Sequence, residues 1–436
     1  MKQVGIVVCN YNKKDDVLAC IQSILESKFR DYDIYVVDNA STDGSPEAIR
    51  KTYGMQVALL VNQENLGGSG GFNTGLRVAF EKGYPYLMCI DNDALLDENA
   101  IGNLFAFLQE HEEAGIAAAK IYHKEAPDYV QQFGQRIDFE HFCTEVPYLN
   151  AYEDGGMPGF VYADAVAACA LMIRRSVIKL IGFMPEDNFI YWDDTEWCYL
   201  CGKAGWKVAS VGNAMALHAM GAKKERENTF PTYYAWRNWI RFFMKYTVPE
   251  RWEKMTETFL DSMFEIVYEG IHKGERNRTR TVMMAYDDAI HGVTGKAGEN
   301  RIFSLDASDK PWRELFSGAG EYIINPGKYP ATAQSVKERA QSMGYQIKWL
   351  EPDEENISAR EIVICENIFE IEDLSLKKIY IDVEDCILAT EEDVLDVINY
   401  NYSRRSFVEA NKPVFLQRLK EQRSTPPAMQ DQNDGI

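Results

Sequence analysis

Residues 189–197 read Phe-Ile-Tyr-Trp-Asp-Asp-Thr-Glu-Trp, so two adjacent carboxylates, Asp193 and Asp194, follow an aromatic apex. Asp91-Asn92-Asp93 lies upstream and His218 downstream. On an extended strand end Asp91 and Asp93 point the same way, because side chains alternate with period two. With His218 beside them, two oxygens and an imidazole suit Mn2+ or Mg2+ bridging a diphosphate, and the histidine favours Mn2+. Such an ion would stabilise charge on a departing nucleoside diphosphate. Asp194 or Asp193 could then serve as the general base, which must reach the hydroxyl it deprotonates. Tyr191 and Trp192 offer flat faces that pack on sugar rings, and Glu196 could touch an acceptor hydroxyl. Plainer readings stand beside these. Asp91 alone could cap a strand, and His218 alone could be a satisfied core histidine. Asp193-x-x-Glu196 also fits a helix capping box, with acids favoured in a first turn by the helix dipole. The capping and catalytic readings are compatible.

Positioning such groups requires a rim, and the N-terminal pattern supplies one. Strands are expected over residues 3–9, 32–37, 57–61 and 86–90, with helices over 15–26 and 74–82. Strands alternating with helices imply a parallel α/β sheet with ligands beyond the carboxyl ends of its strands. Four polar clusters fall at those ends: residues 10–12, 38–41, 67–73 and 91–93. One such cluster would mean little, since strand ends need turn residues. Four in succession point to a cleft.

The glycines of residues 67–71 are expected in a loop where backbone N–H groups could approach an anion. No Gly-Lys-Ser or Gly-Lys-Thr follows, and Asn73 stands where a dinucleotide fingerprint needs its third glycine. Further along, a strand over 163–174, helices over 175–181 and 195–205, and a strand over 207–211 lead to the segment 214–218, which carries His218. Residues 233–246 form an aromatic helix. It suits packing, with interfacial membrane contact through Arg237, Arg241 and Lys245 as the other reading. Beyond residue 301, strands at 322–324, 346–350, 361–365 and 378–382 join helices at 331–342, 391–399 and 408–422. This is a small α/β domain with no catalytic cluster.

A chain of 436 residues exceeds one ordinary core, so at least two domains are expected. Its net charge of -21 argues against a nucleic-acid footprint. Nine scattered cysteines fit free buried thiols in a reducing compartment, and Cys198-x-x-Cys201 fits two helix positions better than a redox or zinc pair. The opening lacks a signal-peptide arrangement, and no stretch reaches the roughly 18 to 20 apolar residues of a transmembrane helix. A cytoplasmic protein is expected, with peripheral contact on the inner membrane face if the aromatic helix binds there.

In order along the chain, Val7-Val8-Cys9-Asn10-Tyr11-Asn12, Val36-Val37-Asp38-Asn39-Ala40-Ser41-Thr42-Asp43, Asn65-Leu66-Gly67-Gly68 and Asp91-Asn92-Asp93 resemble an inverting family 2 glycosyltransferase of the GT-A fold. Residues 67–72, Trp192-Asp193-Asp194 and Leu217-His218-Ala219-Met220 are similar to galactofuranosyltransferases and rhamnosyltransferase-like enzymes. The resemblance spans roughly residues 3–300. It implies an α/β fold with a Rossmann-like mixed sheet and a glycosyltransferase domain over 1–230; the pattern along the chain adds a helical extension over 231–300 and a small C-terminal α/β domain over 301–423, and the prolines and polar residues of 424–436 are expected to form a disordered tail. By position, it implies that Asn10, Tyr11, Asp38, Asn65, Gly67 and Gly68 hold the nucleotide. Asp91, Asp93 and His218 would hold the metal, with Asp194 as base. Asp193, Trp192 and Glu196 would position donor or acceptor. The implied partners are a nucleoside-diphosphate sugar, UDP-galactofuranose ahead of dTDP-rhamnose, and a glycan or lipid-linked acceptor. Asn92 departs from a position often acidic in relatives. The C-terminal domain differs from the helical extension of polymerising galactofuranosyltransferases, so processive growth is not implied. A catalytically silent sugar-nucleotide or glycan-binding protein is the alternative. A nucleotidyltransferase is disfavoured, because residues 7–12 lack a glycine-rich loop with a basic residue.

Overall fold

The structure, a computed structural model, describes residues 2–219, 228–306, 312, 315, 321–350, 359–371, 374–375 and 377–424. The chain divides into two compact units. The first comprises Met1–Arg226, Tyr234–Thr247 and Gly292–Glu299, and the second comprises Glu227–Tyr233, Val248–His291 and Asn300–Ile436.

The first unit is built on a mixed sheet. Its parallel half contains β1 (Val4–Asn10), β2 (Tyr32–Asp38), β3 (Ala58–Val61) and β4 (Tyr86–Asp91) in the order β3-β2-β1-β4. Crossovers are made by α1 (Lys14–Glu26), α2 (Ser45–Tyr53) and α3 (Gly67–Lys82). β1 is apolar on both faces, as a covered parallel strand must be. Val4, Ile6 and Val8 pack with Val17, Ile21 and Ile24 of α1, and Val7 packs with Phe72 and Leu76 of α3. After β4 the chain forms β5 (Ala94–Leu96), α4 (Ala100–Glu110), β6 (Ala114–His123) and β7 (Ala126–Gln132). A small hairpin follows, β8 (Arg136–Asp138) with β9 (Cys143–Glu145), and then β10 (Phe160–Ala163). Next come β11 (Ala170–Arg174), α5 (Arg175–Ile181), α6 (Asp193–Lys203) and β12 (Lys207–His218). β11 runs antiparallel between β4 and β6, and β12 lies parallel to β6. The sheet is therefore mixed, as the family resemblance implies and the α/β alternation alone does not.

Three local expectations change. The helix expected from residue 74 begins at Gly67, with the glycines in its first turns. The reason is close packing: a Cβ on Gly71 would lie 2.4 Å from Cys9 Sγ, and one on Gly75 would lie 2.4 Å from Val7 Cγ1. Glycine there lets a helix press onto β1, so tertiary contact overrides its low helix propensity. The strand expected over 163–174 is two strands, β10 and β11, in different places in the sheet. The pieces at 207–211 and 214–218 are one strand with an irregularity between Val211 and Met215. Cys198 and Cys201 are buried free thiols on α6, as expected.

The second unit contains most of the segment after the aromatic helix α7 (Phe230–Tyr246), beginning with α8 (Trp252–Lys273) and α9 (Arg276–Ile290). Its sheet joins β13 (Tyr322–Asn325), β14 (Ile347–Trp349), β15 (Arg360–Cys365), β16 (Lys378–Asp382) and β17 (Ile387–Leu388) in the order β14-β13-β15-β16-β17. α10 (Pro330–Ser342) packs its Ala333, Val336 and Ala340 into that core. The two helices expected at 391–399 and 408–422 are one, α11 (Glu391–Ser424), running through Pro413. Buried Phe415 and Leu419 and ion pairs from Arg404 to Asp261 and Lys412 to Glu253 and Glu257 hold it, offsetting the proline's lost bond. The tail expected to be disordered lies, beyond Ser424, outside the described residues. Among the described residues no helix is long and apolar enough to cross a membrane.

Candidate active site

Strand register brings the expected nucleotide residues together. Asn10 pairs with Asp38 across β1 and β2, and Cys9 pairs with Asp91 across β1 and β4. Asn10 Nδ2 donates to Asp38 Oδ2 (3.0 Å), Ser41 N donates to Asp38 Oδ1 (2.9 Å), and Asn92 Nδ2 donates to Asn10 Oδ1 (2.8 Å). Asn92, the departure from an acidic position, thus ties β4 to β1. Asn39 Nδ2 donates to Asn65 Oδ1 (3.0 Å) and to the Gly67 carbonyl (2.9 Å), which seats the start of α3 on the end of β2. Tyr11 stays exposed beside Asn12, whose φ is 50°. Gly68 faces the second acid pair, since a Cβ there would lie 3.4 Å from Asp193 Oδ2.

The first acid pair is assembled by β5. Its Ala94 pairs with His218 at the end of β12, which places the imidazole next to Asp93. His218 Nε2 lies 3.2 Å from Asp93 Oδ1 and 3.8 Å from Asp91 Oδ2. One ligand atom from each of the three residues falls within 4.8 Å of the others, and among the described residues this is the group able to hold a metal ion. Gln131 Oε1 sits 2.8 Å from His218 Nδ1. That contact takes the Nδ1–H and turns Nε2 toward the carboxylates, where it donates to Asp93 when the ring is charged and offers a lone pair when it is neutral. Lys13 pairs with Asp93 from the other side. Burial alone would raise the Asp93 carboxyl. The hydrogen bond from His218 and the charges of His218 and Lys13 outweigh it and hold that carboxyl well below the usual carboxylate range. Although its side chain keeps 39% of its exposure, the enclosure of the Asp91 carboxyl raises it to about 6, against the charge of His218 and with those of Asp93 and Asp194.

The second acid pair sits at the first turn of α6. The approach to it is strained: Phe189, Tyr191 and Trp192 have φ of 65°, 62° and 68°. Such left-handed non-glycine residues cost of order 1–3 kcal/mol each and persist only where the surroundings fix them. α7 fixes them. Asn238 Nδ2 donates to the carbonyls of Asn188 (2.8 Å), Ile190 (2.9 Å) and Tyr191 (3.0 Å). Fully buried Arg237 donates to the carbonyls of Asn188 and Gly295. Trp192 leans on Phe242 and Phe243, 5.2 and 5.8 Å between ring centres. Gly67 accommodates the loop from below, since a Cβ there would fall 2.1 Å from the Phe189 carbonyl oxygen.

Asp194 Oδ2 accepts from Ala168 N (3.1 Å), while Oδ1 accepts from both Thr195 N (2.7 Å) and Thr195 Oγ1 (3.3 Å), which leaves a lone pair on Oδ2. Burial raises its carboxyl, and these bonds only partly oppose the rise. Asp193 is pushed further up, by burial and then by the charge of Asp194. The capping box weighed for residues 193–196 does not form. Trp192 occupies the cap position, and Glu196 turns away to accept from Lys245 Nζ (2.6 Å), Tyr246 OH (2.7 Å) and Asn188 Nδ2 (2.8 Å). Burial would raise Glu196, but the Lys245 charge and these bonds lower it. The two pairs share one neighbourhood, because Asp91, Asp38 and Asp193 all raise the Cys9 thiol, after burial itself.

The sequence reading missed Lys13, Gln131 and Asn238. Lys13 adjoins a motif it did identify. Asn238 lay beside Arg237, which it weighed for membrane contact. Those helix cations are engaged within the first unit: Arg237 by loop carbonyls, Arg241 by Asp187 and Asn188, and Lys245 by Glu196.

Residues 5–181 match Glycosyl transferase family 2, so the chain carries a glycosyltransferase domain of that family. The dTDP-rhamnosyl transferase RfbF of Shigella flexneri is 23% identical over 66% of this chain and 96% of its own length. The N-acetylglucosaminyl-diphospho-decaprenol L-rhamnosyltransferase of Mycobacterium tuberculosis is 24% identical over 49% of this chain and 75% of its own. For several other relatives the chain spans less than half of their length. A crystal structure of S. aureus TarS aligns with 16% identity and a TM-score of 0.43, over 67% of this chain and 81% of that one.

Proposed function

We propose that this family 2 glycosyltransferase is metal-dependent and inverting, and moves a sugar from a nucleoside-diphosphate donor to a hydroxyl of a glycan or lipid-linked acceptor. The observation that carries the reading is the pairing of a three-ligand group, Asp91, Asp93 and His218, with a second acid pair raised by its surroundings. Two oxygens and one nitrogen suit Mn2+ or Mg2+, and an ion held there would supply positive charge to a leaving diphosphate. Asn10, Tyr11, Asp38, Asn65, Gly67 and Gly68 are the nucleotide residues of this reading, with Asp193 and Trp192 beside donor and acceptor. Glu196, with both oxygens occupied, braces α6 against α7 and positions the neighbouring acids.

The chemistry assigned to the chain is a single displacement. The acceptor oxygen forms its bond to the anomeric carbon on the face opposite the leaving group. The carbon–oxygen bond to the diphosphate breaks, and its electron pair leaves with the diphosphate oxygen. The acceptor proton passes to Asp194, whose raised affinity for a proton suits a base working nearer neutral pH than an ordinary carboxylate.

For the donor we infer dTDP-rhamnose ahead of UDP-galactofuranose, reversing the order suggested by the motifs. Support comes from two relatives named rhamnosyltransferases, one of them matched over nearly its whole length. The second relative's name supports a lipid-diphosphate-linked acceptor. A transfer assay with each donor, with and without Mn2+, on a saccharide-diphosphate-lipid acceptor tests this. Metal-dependent rhamnose transfer with an inverted anomeric centre is expected. Donor binding without transfer to any acceptor would favour a silent binding protein.

A further inference from the structure

Lys13 has no role in the displacement described above, yet it is the lysine paired with the most enclosed of the metal-type carboxylates. It follows the Asn10-Tyr11-Asn12 turn immediately and precedes α1, so β1 delivers it to the rim where the nucleotide residues lie. The two partners differ in enclosure: the Asp93 side chain keeps 6% of its exposure, the Lys13 side chain 43%. Asp93 also has His218 at 3.2 Å, so it does not depend on the lysine alone. An ammonium on a four-carbon stem is a point charge that can re-aim without moving the backbone.

The charge balance gives that freedom a use. Asp38, Asp91, Asp93, Asp193 and Asp194 converge on this rim within a chain of net charge -21. A diphosphate approaching it needs every nearby cation. Lys124, whose backbone N–H donates to the His218 carbonyl, is paired with Asp16.

We propose that Lys13 is the site's own re-aimable cation, competing with a divalent ion for the Asp93 carboxylate and, once displaced from it, contacting the diphosphate of the bound donor. The inference rests on the metal-dependent nucleoside-diphosphate-sugar reading. It predicts opposite effects on two ligands from one substitution, which a merely structural ion pair would not produce.

The test uses the full chain and the variants Lys13→Met and Lys13→Arg, with folding checked by circular dichroism. Mn2+ binding is read by electron paramagnetic resonance without nucleotide, and dTDP and UDP binding by calorimetry at saturating Mn2+. Removing one charge-assisted contact should change each affinity about 10-fold. Lys13→Met should bind Mn2+ more tightly and the preferred nucleoside diphosphate more weakly. Lys13→Arg should recover the diphosphate affinity, and thymidine or uridine alone should bind all forms alike. Equal Mn2+ and diphosphate affinities in wild type and Lys13→Met would overturn the assignment of Lys13 while leaving the site reading intact. No Mn2+ binding to wild type or Lys13→Met, with metal-independent nucleotide binding, would overturn the site reading and this inference with it.

Discussion

The two acid pairs at the rim have the same residue type and different neighbours, which set Asp93 apart: burial raises its partner Asp91 to about 6, as it raises both acids of the second pair. Asp93 lies between His218 and Lys13, and those cations hold its carboxyl low despite burial. Asp193 and Asp194 have no cation at hydrogen-bond distance among the described residues, and burial raises both. A carboxylate kept ionised by positive neighbours is suited to a cation. One kept from ionising easily is suited to accepting a proton. The surroundings therefore divide the labour between pairs that the sequence presents as equals. Glu196 sharpens the point: it lies two residues from Asp194, but Lys245 and Tyr246 give it the lowered character of a structural acid.

The largest way to break this contrast is Asp194→Asn, which removes the base and leaves the rim's shape. We expect kcat to fall by about 10^2 to 10^4, the usual worth of a positioned base, with nucleotide affinity retained. The pH profile of kcat at saturating Mn2+ sharpens the same claim. Asp194 must be ionised to act, and its pKa is raised. Activity should therefore climb with pH along a limb above the ordinary carboxylate range, and that limb should vanish in Asp194→Asn. An acid limb near pH 4 would mean a different base.

Asn238→Ala should come next. Losing the amide that holds three loop carbonyls lets the strained apex relax, and displacements of about 1 Å cost on the order of 10^2 in rate. A kcat loss with unchanged Mn2+ affinity would separate this positioning role from a metal defect. Smallest in rate is Glu196→Gln. It should lower stability by about 1–3 kcal/mol, read from denaturant midpoints, because a buried charged hydrogen bond to Lys245 is lost, while kcat changes by no more than about 3-fold.

The sequence revealed this contrast only in part. Strand periodicity placed β1, β2 and β4 and the polar residues at their ends, because alternation and turn residues are local signals. Asp91, Asp93 and His218 lie together although 125 residues separate the last two; what joins them is the pairing of Ala94 with His218, which no local pattern announces. Residues 67–71 looked like a loop because the reason for glycine in this helix, Gly71 against Cys9 and Gly75 against Val7, lies in residues distant in sequence. The fate of Glu196 depended on Lys245 and Tyr246, about fifty positions away. The difference between the acid pairs is likewise made by Lys13 and His218, through space.

The most direct test of the account is calorimetric binding of dTDP and UDP, each with and without Mn2+, to wild type and to Asp93→Asn. The account predicts that one of the two nucleotides binds wild type tightly only with Mn2+, and that Asp93→Asn abolishes the metal's effect. Binding indifferent to Mn2+ in both proteins would contradict it, leaving Asp91 and Asp93 as strand-end residues and removing the division of labour between the two acid pairs.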